Sequence, residues 1–337
     1  MSIQSARVRE KPAASLKSLV EAFPRRRVLV VGDLVADHYI YGQTERVSRE
    51  APVLVVRHES SEVKLGGGAN AAANVRALGG AVTTVGLLGA DEMGRELKKL
   101  FRAQGIRLQA VSDPGLPTET KTRILAGGVS TTRQQVVRLD RGGRVPPSPA
   151  VCERLAATVR EAAQGVDAIL VSDYGAGVVG ESVREALREL AAQGLPVCID
   201  SRYALKSFAG FPLLKPNEPE LEALVGRSLR TEAEWLEAGR TARRILRCES
   251  LVVTRGRLGM RVFTRKGVEE IPVHGAADAV DVTGAGDTVI ATLALSLAAG
   301  ACVGDAARVA NVAGALVVQK MGTATLSPDE LLGELPA

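Results

Sequence analysis

The stretch from Asp281 to Val289, DVTGAGDTV, places one carboxylate, Asp287, among small residues directly ahead of an apolar run, IATLALSLAAG. That run predicts a buried helix, with Gly284, Ala285, Gly286 and Asp287 at its N-terminus. Unpaired backbone N–H groups collect there, and with the helix dipole they favour an anion. Glycine lets the anion come close to the backbone. A carboxylate beside an anion would repel it unless it had separate work, such as accepting a proton. The plain alternative is that Asp287 caps the helix. Gly284 to Val289 departs from GxGxxG at its last position, and GxxxxGK[ST] occurs nowhere in the chain, so neither a dinucleotide fingerprint nor a P-loop accounts for the turn.

Other polar turns follow expected strands. Gly32-Asp33 comes after RVLVVGD, with Asp37 beyond it, and Gly66-Gly67-Gly68-Ala69-Asn70 opens a helix. Asp173, Asp200, the run Lys215-Pro216-Asn217-Glu218-Pro219-Glu220 and Thr254-Arg255-Gly256 come later. Taken singly, each is ordinary turn chemistry. In an open α/β sheet, however, ligands bind at the carboxyl ends of the strands, and these turns share that position.

The elements that must carry them alternate. From Arg27 onward, short β-branched runs such as AVTTVGLLG, VDAILVSDYG, LPVCID and SLVVTRG trade with helical stretches such as ANAAANVRALGG, DEMGRELKKLFRAQG and ESVREALRELAAQG. Repeated βα units predict an α/β fold, a mostly parallel sheet with helices on both faces. A hairpin over GMRVFTRKGVEEIPV and two closing helices, from Asp287 and Asp305, complete the expected layout. Two segments, about 38–66 and 107–140, are strand-rich without helices and are expected to project as an antiparallel lid rather than form a separate domain. The expected organisation is an extension over 1–24, one domain over 25–330 and a tail over 331–337.

With 337 residues and 46% hydrophobic composition, the chain can bury a large core. A net charge of +5, mixed in sign, and 3% aromatics suit an anionic small substrate better than nucleic acid. Cys152, Cys198, Cys248 and Cys302 are widely spaced, and His38, His58 and His274 are scattered, so reduced thiols are expected and a protein metal cage is not. No apolar run approaches membrane-spanning length, and the N-terminus lacks a signal-peptide core, so a cytoplasmic protein is expected.

DVTGAGDT, GGGANAAANVRALG, KPNEPE and VTRGRLGM together resemble the ribokinase-like (PfkB-type) sugar kinases, from about Arg27 to Leu326. GDLVADHYIYGQTERVSREAPVLVV, TRQQVVRLD and VSDYGAG resemble the branch that phosphorylates D-glycero-β-D-manno-heptose 7-phosphate at C1. The resemblance implies a three-layer α/β/α sandwich with a small β lid, and ATP with Mg²⁺ as cofactors. It implies Asp287 as the base, with the N–H groups of Gly284 to Asp287 as an anion hole. Asn217 and Glu220 match an NxxE motif that would order Mg²⁺ and its waters. Thr254 and Gly256 would touch nucleotide phosphates, with Gly259 and Asn311 nearer the adenine.

By the same resemblance, Asp37, Gly67, Gly68 and Asn70 match sugar ligands, and Asp173 joins them. Lys121, Arg123 and Arg138 on the lid would take a distal phosphate; the bland alternative for each is a solvated basic face. Asp281 is where a monovalent cation such as K⁺ is expected. The resemblance also implies a homodimer through the lid, and a nucleotidyltransferase on a separate chain, with no nucleic-acid or membrane partner. Departures stand at Ala176, where a Lys is expected, at Arg49 in place of a Pro, and at DSRY over 200–203. The alternatives are another phosphosugar or sugar kinase, such as a fructokinase, and a catalytically silent sugar-binding regulator.

Overall fold

The structure, a computed structural model, describes residues 15–128, 133–143, 145–275 and 279–336. A short helix, α1 (Leu16–Glu21), leads into β1 (Arg27–Gly32), β2 (Leu34–Val47) and β3 (Leu54–Gly67). Then come α2 (Gly68–Ala77), β4 (Ala81–Leu88), α3 (Glu92–Ala103), β5 (Arg107–Ser112), β6 (Thr120–Gly127) and β7 (Gln134–Arg141). The middle of the chain forms α4 (Pro149–Ala162), β8 (Ala168–Asp173), α5 (Glu181–Ala192), β9 (Val197–Ser201), β10 (Leu213–Leu214), α6 (Glu218–Val225) and α7 (Glu232–Leu246). It closes with β11 (Ser250–Thr254), β12 (Met260–Phe263), β13 (Val268–Ile271), α8 (Ala285–Ala298), α9 (Val303–Val317) and α10 (Pro328–Glu334).

Nine strands form one sheet in the order β13-β12-β11-β10-β9-β8-β1-β4-β5. All neighbours from β11 to β5 run parallel, and only the β11–β12–β13 hairpin edge is antiparallel. Alternate side chains of β1 feed two cores: Val28 and Val30 pack with α2, α8 and α9, while Leu29 and Val31 pack with α4 and α5. The sheet is thus covered on both faces, which is why its central strands read as unbroken apolar runs. Strand order reverses at β1, whose neighbours are β4 and β8, and the crevice at such a reversal is where α/β sheets hold ligands.

A second sheet, of four strands in the order β3-β2-β6-β7, is the lid. Two expectations change here. The β2–β6 pair is parallel, not antiparallel, because alternation of side chains fixes the period of a strand but not its direction. The strand that opens the second lid segment, β5, pairs with β4 in the main sheet, so the lid proper resumes at β6. Helix α4, not expected from the sequence, starts at Ser148, whose side chain accepts from the Val151 N–H, with Pro149 in its first turn. Near the two ends, Val20 and Phe23 lie in one core with Leu331 and Leu335.

Candidate active site

Asp287 is buried, 4% exposed, in the first turn of α8. Asn70 Nδ2 donates to its Oδ2 at 2.7 Å, and the Tyr174 hydroxyl donates to its Oδ1 at 3.1 Å. Burial, joined by the nearby charge of Asp200, pushes its pKa up to about 7 against the stabilising bonds from Asn70 and Tyr174. The group is therefore poised to exchange a proton near neutral pH, which a solvated helix cap is not.

The turn before it depends on Gly284, whose φ of 80° is left-handed and whose added Cβ would come within 2.8 Å of Asn70 Nδ2. Ala285 N–H already donates to Val282 O, and Asp287 N–H to Gly284 O. The expected anion hole of consecutive donors therefore narrows to the N–H groups of Gly284 and Gly286. A Cβ added to Gly286 would lie 3.8 Å from Lys215 Nζ and 3.9 Å from Asp200 Oδ2, so any anion at this turn also faces the buried Lys215. Lys215 pairs with Asp200 at 3.0 Å; burial works against its charge, but Asp200 and Glu220 outweigh it and hold its pKa above the ordinary value.

Asp33, at the end of β1, has no exposed surface and accepts from Tyr174 N–H at 2.7 Å, Ala176 N–H at 3.1 Å and Val178 N–H at 3.3 Å. It builds the turn that carries Tyr174. Asp173, expected as a sugar ligand, serves the same turn: it accepts from Gly175 N–H at 3.1 Å and from the Ser201 hydroxyl at 2.6 Å. Gly67, with φ 56°, precedes α2 and brings its backbone against Asp33 O and Val35. Gly68 N–H then donates to Asp33 O, which locks β1 to the start of α2 and so aims Asn70.

On the lid, Asp37 and Lys121 are register partners, as are Arg123 and Arg138. Arg123 Nη1 donates to Asp37 Oδ1 at 2.5 Å, and Arg138 holds Asp140 in a bidentate pair with both distances 2.7 Å. Two of the expected phosphate cations thus have carboxylate partners. Among the described residues Lys121 has none: its Nζ lies 4.7 Å from the Tyr174 ring centroid, and Arg202 lies 5.8 Å from the same centroid. Burial lowers the pKa of Lys121, Asp37 opposes this, and Arg138, Arg202 and Arg123 add to it. A cation crowded by cations is a position that an anion would relieve.

At the other end of the crevice, Asn217 and Glu220 form a capping box at the start of α6, with Glu220 N–H donating to Asn217 Oδ1 at 2.9 Å and Asn217 N–H to Glu220 Oε2 at 2.9 Å. Asn217 bridges to Thr254, so the NxxE turn and the end of β11 meet. Gly256, φ 50°, has open space around it, whereas a Cβ on Gly259 would strike Ile271 O. Asn311 is committed through Nδ2 to Pro272 O at 2.7 Å. Asp281 accepts from Thr283 N–H at 2.9 Å and Gly322 N–H at 2.8 Å.

Residues 25–330 match the pfkB family carbohydrate kinases. The chain belongs to that family. It is 40% identical to D-beta-D-heptose 7-phosphate kinase of Bordetella bronchiseptica over 93% of this chain and 97% of that protein. It is also 40% identical to the bifunctional protein HldE of Geobacter metallireducens, over 91% of this chain and 62% of that protein's length. In fold it is similar to phosphofructokinase-2 from Escherichia coli in complex with potassium (TM-score 0.75, 20% identity, 92% of this chain and 97% of the other). Ribokinase of Arabidopsis thaliana complexed with ribose and ATP is similar at TM-score 0.71 and 22% identity, covering 93% and 99%.

This kinase also uses residues that the sequence did not single out as chemical. Asn74 donates to Asn70 O at 2.9 Å and to Asn70 Oδ1 at 3.3 Å, and the Thr288 hydroxyl donates to Asn74 Oδ1 at 2.7 Å, a buried chain that clamps α2 to α8. Two asparagines four apart in an alanine-rich helix were the available signal, because buried amides need partners. Tyr174, Lys215 and Asp200 lay in quoted turns without an assigned role at the base. Among the described residues no helix is long and apolar enough to cross a membrane, and no group of three or more His, Cys, Asp or Glu side chains could hold a metal.

Proposed function

We propose that this kinase transfers the γ-phosphoryl group of ATP to the C1 hydroxyl of D-glycero-β-D-manno-heptose 7-phosphate, giving the 1,7-bisphosphate on the route to ADP-heptose, a lipopolysaccharide core precursor. The observation that carries the reading is a buried carboxylate poised near pH 7 at the foot of a lid whose Lys121 meets Arg202, from the turn after β9, on one tyrosine ring. Asp287 accepts the C1 proton as the hydroxyl attacks. The N–H groups of Gly284 and Gly286, with Lys215, stabilise charge on the transferring group. Asn70 holds the base and Asp37 takes sugar hydroxyls, while Lys121 and Arg202 meet the distal phosphate.

ATP is proposed to lie along Thr254 and Gly256, with its adenine towards Gly259 and Asn311. Mg²⁺ would be held through water by Glu220 and Asn217, whose oxygens keep free lone pairs beyond their capping bonds, and it would neutralise phosphate charge. Potassium is proposed at Asp281, whose carboxylate oxygens each accept one backbone N–H bond and keep a further lone pair. Exposed Val47, Val53, Leu54, Val137 and Leu139 on the lid strands and their connection support a homodimer through the lid. A cytoplasmic location and a nucleotidyltransferase acting on the product belong to the same reading.

A second reading, a plain sugar kinase of fructokinase type, draws on Arg123 and Arg138 being paired with Asp37 and Asp140. Initial rates of ADP release with heptose 7-phosphate, unphosphorylated hexoses and fructose 6-phosphate separate the two. The proposal expects the highest kcat/KM for the heptose phosphate, with phosphorus NMR placing the new ester at C1. Equal or better use of an unphosphorylated hexose would transfer the assignment to the second reading.

A further inference from the structure

Tyr174 stands where two different chemistries meet. Its hydroxyl is, among the described residues, one of two side-chain donors to the Asp287 carboxylate, and its ring lies beside the ammonium of Lys121 from β6 and the guanidinium of Arg202 after β9. Its backbone is pinned by the buried Asp33, and its Cδ2 would lie 3.5 Å from a Cβ added at Gly67. A tyrosine that only filled space would need none of these bonds. We infer that Tyr174 is a positioning residue that joins the two ends of the site: its hydroxyl sets the orientation and basicity of the Asp287 carboxylate, and its ring seats the cations that meet the substrate's phosphate. The inference rests on Asp287 being the base.

Among the described residues, the groups that act most on the carboxylate are Asn70 from α2, Asp200 at the end of β9, Tyr174 after β8 and Lys215 after β10. Asn70, Tyr174 and Lys215 favour its charged form, and Asp200 opposes it. The charge on Asp287 and burial hold the Tyr174 phenol protonated well above its ordinary pKa, so it stays a donor across the working range. Removing that donor leaves the carboxylate less stabilised, and its pKa rises. The acid limb of activity then moves to higher pH, because the base must be ionised to work.

The test is the pH profile of kcat/KM for the parent, Tyr174→Phe and Tyr174→Leu. The Phe variant keeps the ring and loses the hydroxyl; its acid limb is expected about one pH unit higher, with KM for the phosphosugar nearly unchanged and turnover largely recovered at high pH. The Leu variant also loses the ring, and KM for the phosphosugar is expected to rise about three- to tenfold while KM for ATP stays put. Asp287→Asn is measured alongside. A dead Asp287→Asn enzyme beside an unshifted Tyr174→Phe profile overturns this inference alone. An Asp287→Asn enzyme with parental turnover overturns the base assignment and this inference with it.

Discussion

The rim of the main sheet and the lid supply the same crevice but are built on opposite terms. At the rim, β8 is buried along its whole length, and the polar groups around the base are held by others: Asp33 by three backbone N–H groups, Lys215 by Asp200, Asn70 by Asn74 and Asp287. On the lid, every residue of β7 is exposed, and its ion pairs, such as Arg138 with Asp140, face solvent. Solvated pairs of that kind contribute little stability. A rim fixed in advance suits the step common to all kinases of this type. A lid that is cheap to rearrange suits the choice of sugar and the approach of a second copy.

That contrast breaks most easily at Asp287. Asp287→Asn should lower turnover about 10² to 10⁴-fold on every sugar while leaving substrate affinities nearly intact, as judged by initial rates and by calorimetric binding. Turnover within about threefold of the parent would remove the rim from the chemistry. The same variant carries a stability signature. The folded pKa of Asp287 is raised above its unfolded value, so the ionised carboxylate costs stability at pH 8, and the cost falls away as pH drops from about 7 towards 4. Asp287→Asn should therefore unfold at a higher temperature than the parent at pH 8, with the advantage vanishing near pH 4.

Lys121→Met sharpens the comparison from the lid side. It should cut kcat/KM for the phosphorylated heptose about ten- to a hundredfold, with a far smaller loss on an unphosphorylated hexose, because a charge-assisted contact is made only when the distal phosphate is present. Equal losses on both would mean that the lid shapes the pocket without reading charge. The smallest effect is expected at Leu139, 63% exposed on β7. Leu139→Glu should leave thermal stability within about 0.5 kcal/mol of the parent under monomeric conditions, yet convert a dimer to a monomer of 35.3 kDa by light scattering. A parent that is already monomeric at micromolar concentration would end the dimer reading.

The turns at the strand ends, the helix behind Asp287 and the covered parallel sheet were legible because each is a local pattern: a β-branched run, a glycine stop, an acid at a helix start. What was hidden depends on pairing at a distance. The partner of Arg123, Asp37, sits on a neighbouring strand in a register that no single strand encodes. The direction of β2 against β6 leaves no mark on either sequence. Helix α4 was masked by RVPPSP, whose prolines read as loop although Pro149 serves as the first helical residue after a serine cap.

The clamp between α2 and α8 has a consequence for how the molecule comes into being. The bond from Asn70 to Asp287 spans 217 residues, and that from Thr288 to Asn74 spans 214. Closing loops of that length is slow compared with forming the βα units between them. Much of the sheet can therefore assemble while the carboxylate still lacks its partners. During synthesis, α2 must wait for Asp287 and Thr288, the distant partners of its two buried asparagines, until nearly nine-tenths of the chain has emerged. A ribosome-bound or truncated chain that stops short of α8 has the lid strands and the parallel strands β1 to β11 but lacks Asp287. On the proposed role of Asp287 as base, chemistry is thus held back by the order in which the polypeptide is made.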